Sequence, residues 1–244
     1  MRYLVLSDIH ANLEALDAVL DAAPDVSGFL MLGDVVGYGA DPNAVIERVR
    51  QLPAMTVIRG NHDKVGAGLE SVRSFNHLAR HAIEWTAATL EPAHRDWLAA
   101  LPRGPMIVDD LVEICHGSTV DEDTYIFDEL DARRALLASR RPLCLFGHTH
   151  LPAFFRLDGE FDMVPIRRDA PFTVTLLPDV RYLVNCGAVG QPRDGDWRAA
   201  YGVLDVTART LTLHRVPYDV AAAQAKIVDA GLPDVLAQRL ALGR

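Results

Sequence analysis

Short apolar runs in the first 150 residues keep stopping on polar motifs, and helical periodicity fills the gaps between them. The runs are Leu4-Val5-Leu6-Ser7-Asp8-Ile9-His10, Leu30-Met31-Leu32-Gly33-Asp34, Val57-Ile58-Arg59-Gly60-Asn61-His62-Asp63 and Leu145-Phe146-Gly147-His148-Thr149-His150. A further run, Val112-Glu113-Ile114-Cys115-His116-Gly117, has the same shape. Each reads as a buried strand of a parallel sheet, and each motif falls where the strand would end. Leu13, Leu16, Val19 and Leu20 recur at helical spacing over residues 11–22, and Asp41-Pro42 opens a second helix that runs to about Arg50. This alternation demands right-handed crossovers and a parallel sheet. In such sheets, functional groups gather beyond the carboxyl ends of the strands.

The pattern changes after residue 150. Residues 153–157, 172–176, 182–186, 201–205 and 210–216 read as successive strands with no helix between them. They predict antiparallel material forming a second sheet packed on the first. The expected fold is α/β, a four-layer α/β/β/α sandwich of two facing mixed sheets. Residues 1–244 are expected to form a single domain, with a helical insertion over about 64–100 and a helical tail over about 219–242, broken at Gly231-Leu232-Pro233. Phe75, Leu78, Ala82, Trp85 and Leu90 form the apolar stripe of the insertion, and Asp109-Asp110 marks a hairpin turn.

Half of the residues are hydrophobic and the formal net charge is −9, so a folded core is expected and duplex nucleic acid is a poor partner. No apolar run approaches the ~20 residues needed to span a bilayer. The chain also opens on a strand pattern rather than a signal core, so the expectation is a soluble, cytoplasmic protein with no membrane partner. Cys115, Cys144 and Cys186 sit in apolar surroundings and read as buried free thiols.

Asp, His and Asn converging from separate strand ends supply oxygen and nitrogen donors for two adjacent divalent ions, with zinc, manganese and iron all suited. Asp-x-His, Gly-Asp, Gly-Asn-His-Asp, His and Gly-His-x-His, in that order across residues 8–150, resemble the motifs of the calcineurin-like metallophosphoesterases. Residues 75–86 and 185–196 resemble a small bacterial subgroup whose members are labelled as relatives of diadenosine tetraphosphatases and protein phosphatases. The resemblance implies that Asp8, His10, Asp34 and His150 hold one metal, and that Asp34, Asn61, His116 and His148 hold the other. Asp34 would bridge them with a shared hydroxide. His62 would stand beside the pair as a general acid, with Asn61 and Arg193 near the phosphate. The implied activity is hydrolysis of phosphate mono- or diesters on a small phosphorylated substrate. A dinucleoside polyphosphate hydrolase and a non-catalytic interaction scaffold remain as alternatives.

Protein phosphatases continue the second motif as Gly-Asp-x-Val-Asp-Arg-Gly, whereas this chain reads Gly33-Asp34-Val35-Val36-Gly37-Tyr38-Gly39. The acid that would orient the histidine is replaced by Gly37, and the phosphate-gripping arginine by Tyr38. Weak or absent action on phosphoproteins is therefore expected. The orientation of His62 must come from elsewhere, with Asp63, a backbone carbonyl or water as candidates. His77 and His81 lie four residues apart on a predicted helix and read as ordinary histidines, or alternatively as a wall facing substrate.

Overall fold

The computed structural model describes residues 1–167 and 169–244. Strands β1 (Arg2–Leu6), β2 (Gly28–Met31) and β3 (Met55–Val57) pair in parallel through α1 (Leu13–Ala22) and α2 (Pro42–Arg50). Asn12 starts α1 by accepting from the Ala15 amide at 3.1 Å, and Pro42 occupies the first turn of α2, where a missing N–H does no harm. The next helices are α3 (Asn61–Gly66), α4 (His77–Thr89) and α5 (Pro92–Ala99). The insertion thus divides between Leu90 and Pro92, because a proline suits the first turn of a new helix better than the interior of an old one.

Strands β4 (Met106–Ile107) and β5 (Val112–Ile114) form the expected hairpin, whose turn is held by Asp109 accepting from the Leu111 and Val112 amides. Helix α6 (Glu129–Ala138) leads to β6 (Leu143–Phe146). The remaining strands are β7 (Ala153–Asp158), β8 (Glu160–Met163), β9 (Phe172–Thr175), β10 (Arg181–Asn185), β11 (Ala199–Asp205) and β12 (Thr210–Val216), followed by α7 (Val220–Asp229) and α8 (Asp234–Leu242).

One sheet runs β3-β2-β1-β11-β12-β9 and the other β4-β5-β6-β10-β7-β8, each mixed and six-stranded. The later strands therefore do not build a sheet of their own. β11 pairs antiparallel with β1, while β10 pairs parallel with β6 and antiparallel with β7. The cause is the open edge that β1 and β6 each present, whose backbone groups need partners.

Tyr3, Val5, Leu30, Leu32, Val112, Leu145, Val184 and Leu204 fill the space between the sheets. Leu4, Leu6 and Met31 point the other way, onto a cluster that includes Leu16, Val45, Ile83, Ile227, Leu236 and Leu240 from the helices. On the far side, Cys144, Phe146 and Leu183 pack on Ala132, Ala135 and Leu136 of α6. This gives the four layers. Leu4 and Leu6 are fully buried, so truncating either to Ala should cost about 2–5 kcal/mol. No helix among the described residues is long and apolar enough to cross a membrane.

Candidate metal centre

The carboxyl ends of β1, β2 and β6, with the loops after β3 and β5, meet along one rim. There the backbone is bent into an unusual shape. Asp8, His10, Asp34, His148 and His150 all have φ between 50° and 66°, in the left-handed region that side chains other than glycine rarely occupy. Such strain persists where the surroundings over-determine it, and it concentrates at functional sites. The surroundings here are tight: the Asp8 amide donates to the Gly33 carbonyl, His10 to that of Asp34, and the Val189 and Gly190 amides to those of Ser7 and Asp8. Gly60 is required by contact, because a Cβ there would lie 2.1 Å from Asp34 Oδ1.

The result is two overlapping donor clusters. Donor atoms of Asp8, His10, Asp34 and His150 lie within 4.8 Å of one another, as do those of Asp34, His116 and His148. Asp34 belongs to both. Its Oδ2 stands 3.6 Å from His10 Nε2 and 3.4 Å from His116 Nε2, while Oδ1 accepts from the His62 amide at 2.9 Å. Asn61 joins the second cluster through Oδ1, 3.2 Å from His116 Nε2.

The histidine tautomers follow from their partners. A carbonyl can only accept, so the contacts of His10 Nδ1 with Val36 O (3.0 Å), His116 Nδ1 with Leu32 O (2.7 Å) and His150 Nδ1 with Gln191 O (2.6 Å) place a proton on each Nδ1. Their Nε2 atoms then face the clusters. His148 is reversed: Nε2 donates to the Asp123 carbonyl at 3.0 Å, and Nδ1 is left for the cluster. Outer hydrogen bonds of this kind fix metal-binding histidines.

Charges within the site act strongly on one another. Burial raises Asp8 to about 6, against the pull of His116. Burial would also raise Asp34, but His116 and His62 reverse this and hold it well below its ordinary value. Burial lowers His10 and His150 well below the ordinary range and His148 to about 3. His116 goes the other way, to about 10, because the Asp34 carboxylate outweighs its burial. A divalent cation bound by these donors would displace the proton held by His116. The donor set fits such a cation. Neutral Nε2 lone pairs of His10 and His150 meet at 3.1 Å, an arrangement that is repulsive until a positive ion sits between them and the carboxylates.

His62 lies at the floor of a cleft of about 240 Å³ lined by Tyr38, Asn61, Glu70, Phe75, Asp123, Tyr125 and His148, among others. Its ring is packed between His10, Tyr38 and Phe75 at centroid distances of 4.8, 4.6 and 4.7 Å. Neither Asp63 nor a backbone carbonyl orients this side chain. Asp63 spends its oxygens on the Val35, Val36 and Gly60 amides, and His62 Nδ1 is buried without a protein partner. Aromatic packing orients the ring instead. Nδ1 is turned to Gly37, where an added Cβ would come within 2.3 Å. Burial pushes His62 down to about 4, so its neutral form prevails at neutral pH.

Arg193 sits at the rim, donating to the Tyr38 hydroxyl at 3.3 Å and to Gln191 Oε1 at 3.2 Å. His77 and His81 are exposed and belong to neither cluster. The three cysteines are buried and unbridged. Sequence reasoning passed over Tyr125, which stacks on His148 at 3.7 Å and carries Phe127 on its outer face at 4.8 Å. Its only signal was its place in a loop beside the site. The ion-pair network that holds this loop was equally hidden. Arg59 forks onto Glu122 at 3.1 and 2.9 Å, and Lys64 reaches Asp123 at 2.5 Å, so the carbonyl that orients His148 is anchored.

Residues 1–209 match the model of the calcineurin-like phosphoesterase superfamily domain. The chain is 35% identical to the uncharacterized protein MJ0912 of Methanocaldococcus jannaschii, over 98% of its own length and 97% of the relative's. The crystal structure of a metallophosphoesterase from Sphaerobacter thermophilus superposes with a TM-score of 0.88 at 39% identity, covering 100% of this chain and 99% of that one. The hypothetical protein PH1004 of Pyrococcus horikoshii shares the fold, with a TM-score of 0.79 at 18% identity and coverage of 100% and 98%.

Proposed function

Because this chain belongs to the calcineurin-like phosphoesterase superfamily and is a phosphoester hydrolase, we propose that it works with two divalent cations sharing Asp34. Asp8, His10, Asp34 and His150 would hold one cation, and Asp34, Asn61, His116 and His148 the other. The observation that carries this reading is the pair of neutral Nε2 lone pairs on His10 and His150, 3.1 Å apart beside a carboxylate common to both clusters. Manganese, zinc and iron all suit a donor set of imidazole, carboxylate and amide oxygen. When bound, such a pair supplies Lewis-acid polarisation of the phosphoryl group and lowers the pKa of water.

The protein's own residues do the rest. Asp34 keeps the clusters adjacent because its second oxygen is tied to the His62 amide. Asn61 offers a neutral oxygen, so the centre keeps positive charge to attract a phosphate anion to an acidic protein. His62 presents the nitrogen opposite Gly37 to the cleft, where it can hydrogen-bond the leaving-group oxygen or give it a proton. Arg193 stands outside the cleft lining and offers a guanidinium to a phosphate oxygen beyond the reacting centre. Phe75 and the Tyr125 ring wall the cleft and limit water around the reacting group.

The substrate is a small phosphate mono- or diester. A dinucleoside polyphosphate is the narrower alternative. Phosphoproteins are poor substrates in this reading, since Gly37 and Tyr38 stand where protein phosphatases place an acid and an arginine. An interaction scaffold with a decayed site is disfavoured, because the donor side chains of both clusters are in place. The test is turnover of 4-nitrophenyl phosphate and bis(4-nitrophenyl) phosphate by chelator-stripped and manganese-reloaded protein. Activity should vanish on stripping and return on reloading; equal rates in both states would defeat the reading.

A further inference from the structure

Tyr38 occupies the place of the missing phosphate-binding arginine, yet two guanidinium groups gather around its ring. Arg193 Cζ lies 5.7 Å from the ring centroid and Arg239 Cζ 5.9 Å, both within cation–π range. Arg193 comes from the loop after β10 and Arg239 from α8, outside the residues 1–209 that define the superfamily match.

Neither guanidinium is held by an acidic side chain. Among the described residues, no carboxylate side chain forms an ion pair with either arginine. Arg193 uses its Nη2 on the neutral partners Tyr38 and Gln191, and its buried Nε has no partner. Arg239 donates from Nε to a main-chain oxygen of Arg244, the last residue of the sequence, at 2.9 Å, and its terminal nitrogens meet no protein acceptor among the described residues. Two neighbouring guanidiniums without an acidic side chain between them are unusual on a chain of net charge −9. They repel each other, and a shared anion relieves that repulsion.

We propose that Arg193 and Arg239, set around Tyr38, form a subsite for a second phosphate group of the substrate. The subsite rests on the phosphoester-hydrolase reading above and narrows its substrate to molecules carrying two phosphates. The second phosphate is distinct from the one undergoing reaction, because the guanidiniums flank Tyr38 and not the cleft over His62. The Tyr38 ring lies 4.8 Å from the His10 ring and 4.6 Å from the His62 ring. Neither arginine lines the cleft above Asn61, His62 and His148. Phosphate is favoured over carboxylate because two planar forks can engage several oxygens of one phosphate at once.

Calorimetric titration of the manganese-loaded protein with alkane-α,ω-bisphosphonates of increasing chain length tests this, with alkylphosphonates of equal length as reference. P–C bonds are not hydrolysed, so binding is read without turnover. At one chain length the bisphosphonate should bind at least ~10-fold tighter than its reference, as expected when a second group engages intramolecularly. Arg239→Gln and Arg193→Gln should each abolish that gain, and either variant decides the matter if the other fails to fold. No gain at any length, or a gain that survives both substitutions, would overturn the subsite. A larger gain for ω-carboxyalkylphosphonates would overturn its assignment to phosphate. Phosphomonoester turnover without any bisphosphonate gain would defeat the subsite alone. Loss of metal-dependent turnover with the gain intact would defeat only the hydrolase reading.

Discussion

His10 Nε2 and His150 Nε2 stand 3.1 Å apart, and the other nitrogen of each ring donates to a backbone carbonyl. Hydrogen bonding thus sets two lone pairs face to face beside Asp8 and Asp34, in a buried place that suits a cation. The proposed metal dependence turns on that arrangement.

Asp34 belongs to both donor clusters, so Asp34→Asn should weaken both cations together, by at least ~100-fold each, since even outer-shell changes cost 10–100-fold. Metal content after dialysis checks this. One ion lost and one retained at full affinity would count against the shared carboxylate.

His62 lacks a protein partner for Nδ1 and presents its other nitrogen to the cleft. His62→Ala should slow alkyl phosphoesters by about 10²–10⁴-fold and nitrophenyl esters much less, with both metals retained. Equal losses for the two leaving groups would remove the proton-donating role and leave substrate binding.

Gly37 has φ 93°, and a Cβ there would meet His62 Nδ1 at 2.3 Å. Gly37→Ala should therefore destabilise the fold by about 1–2 kcal/mol from backbone strain alone. It should also reproduce the leaving-group pattern of His62→Ala, because the imidazole is pushed from its place. Thermal melts and the two ester assays measure both effects; wild-type kinetics in the variant would show that the ring is not held here.

Glu122 is buried, which would raise its pKa, but hydrogen bonds from Arg59 and the charge of Lys64 bring it below the ordinary 4.5. A depressed folded-state pKa means stabilisation that is present above the unfolded value and lost as pH falls through the folded one. Wild type should therefore melt above Glu122→Gln at neutral pH, and the gap should close in the acid range below pH 4.5. A gap unchanged by acid would mean that the carboxylate charge contributes nothing to holding the loop that orients His148.

Much of the fold was legible because apolar runs, polar stops and helical spacing encode local structure directly. Leu4 to Leu6 and Leu143 to Phe146 could hardly be anything but buried strands. The partners of later strands were not legible. Nothing in Arg181–Asn185 says that it pairs with β6 while Ala199–Asp205 pairs with β1, since the same apolar alternation serves either sheet. β8 escaped notice because its residues are mostly exposed and carry no apolar signature. At the site, the motifs themselves announced the donor residues. The outer partners were silent, since Val36, Leu32, Gln191 and Asp123 act through backbone carbonyls, which any residue supplies. Arg239 reaches Tyr38 only through the packing of the tail, and sequence proximity gives no hint of it.

The most direct test is a manganese titration of metal-free protein, following bound ion per chain and bis(4-nitrophenyl) phosphate turnover in the same samples. A centre built on Asp34 predicts binding that saturates near two ions and turnover that rises with the second. Full turnover at one ion per chain, or turnover with none, would contradict it.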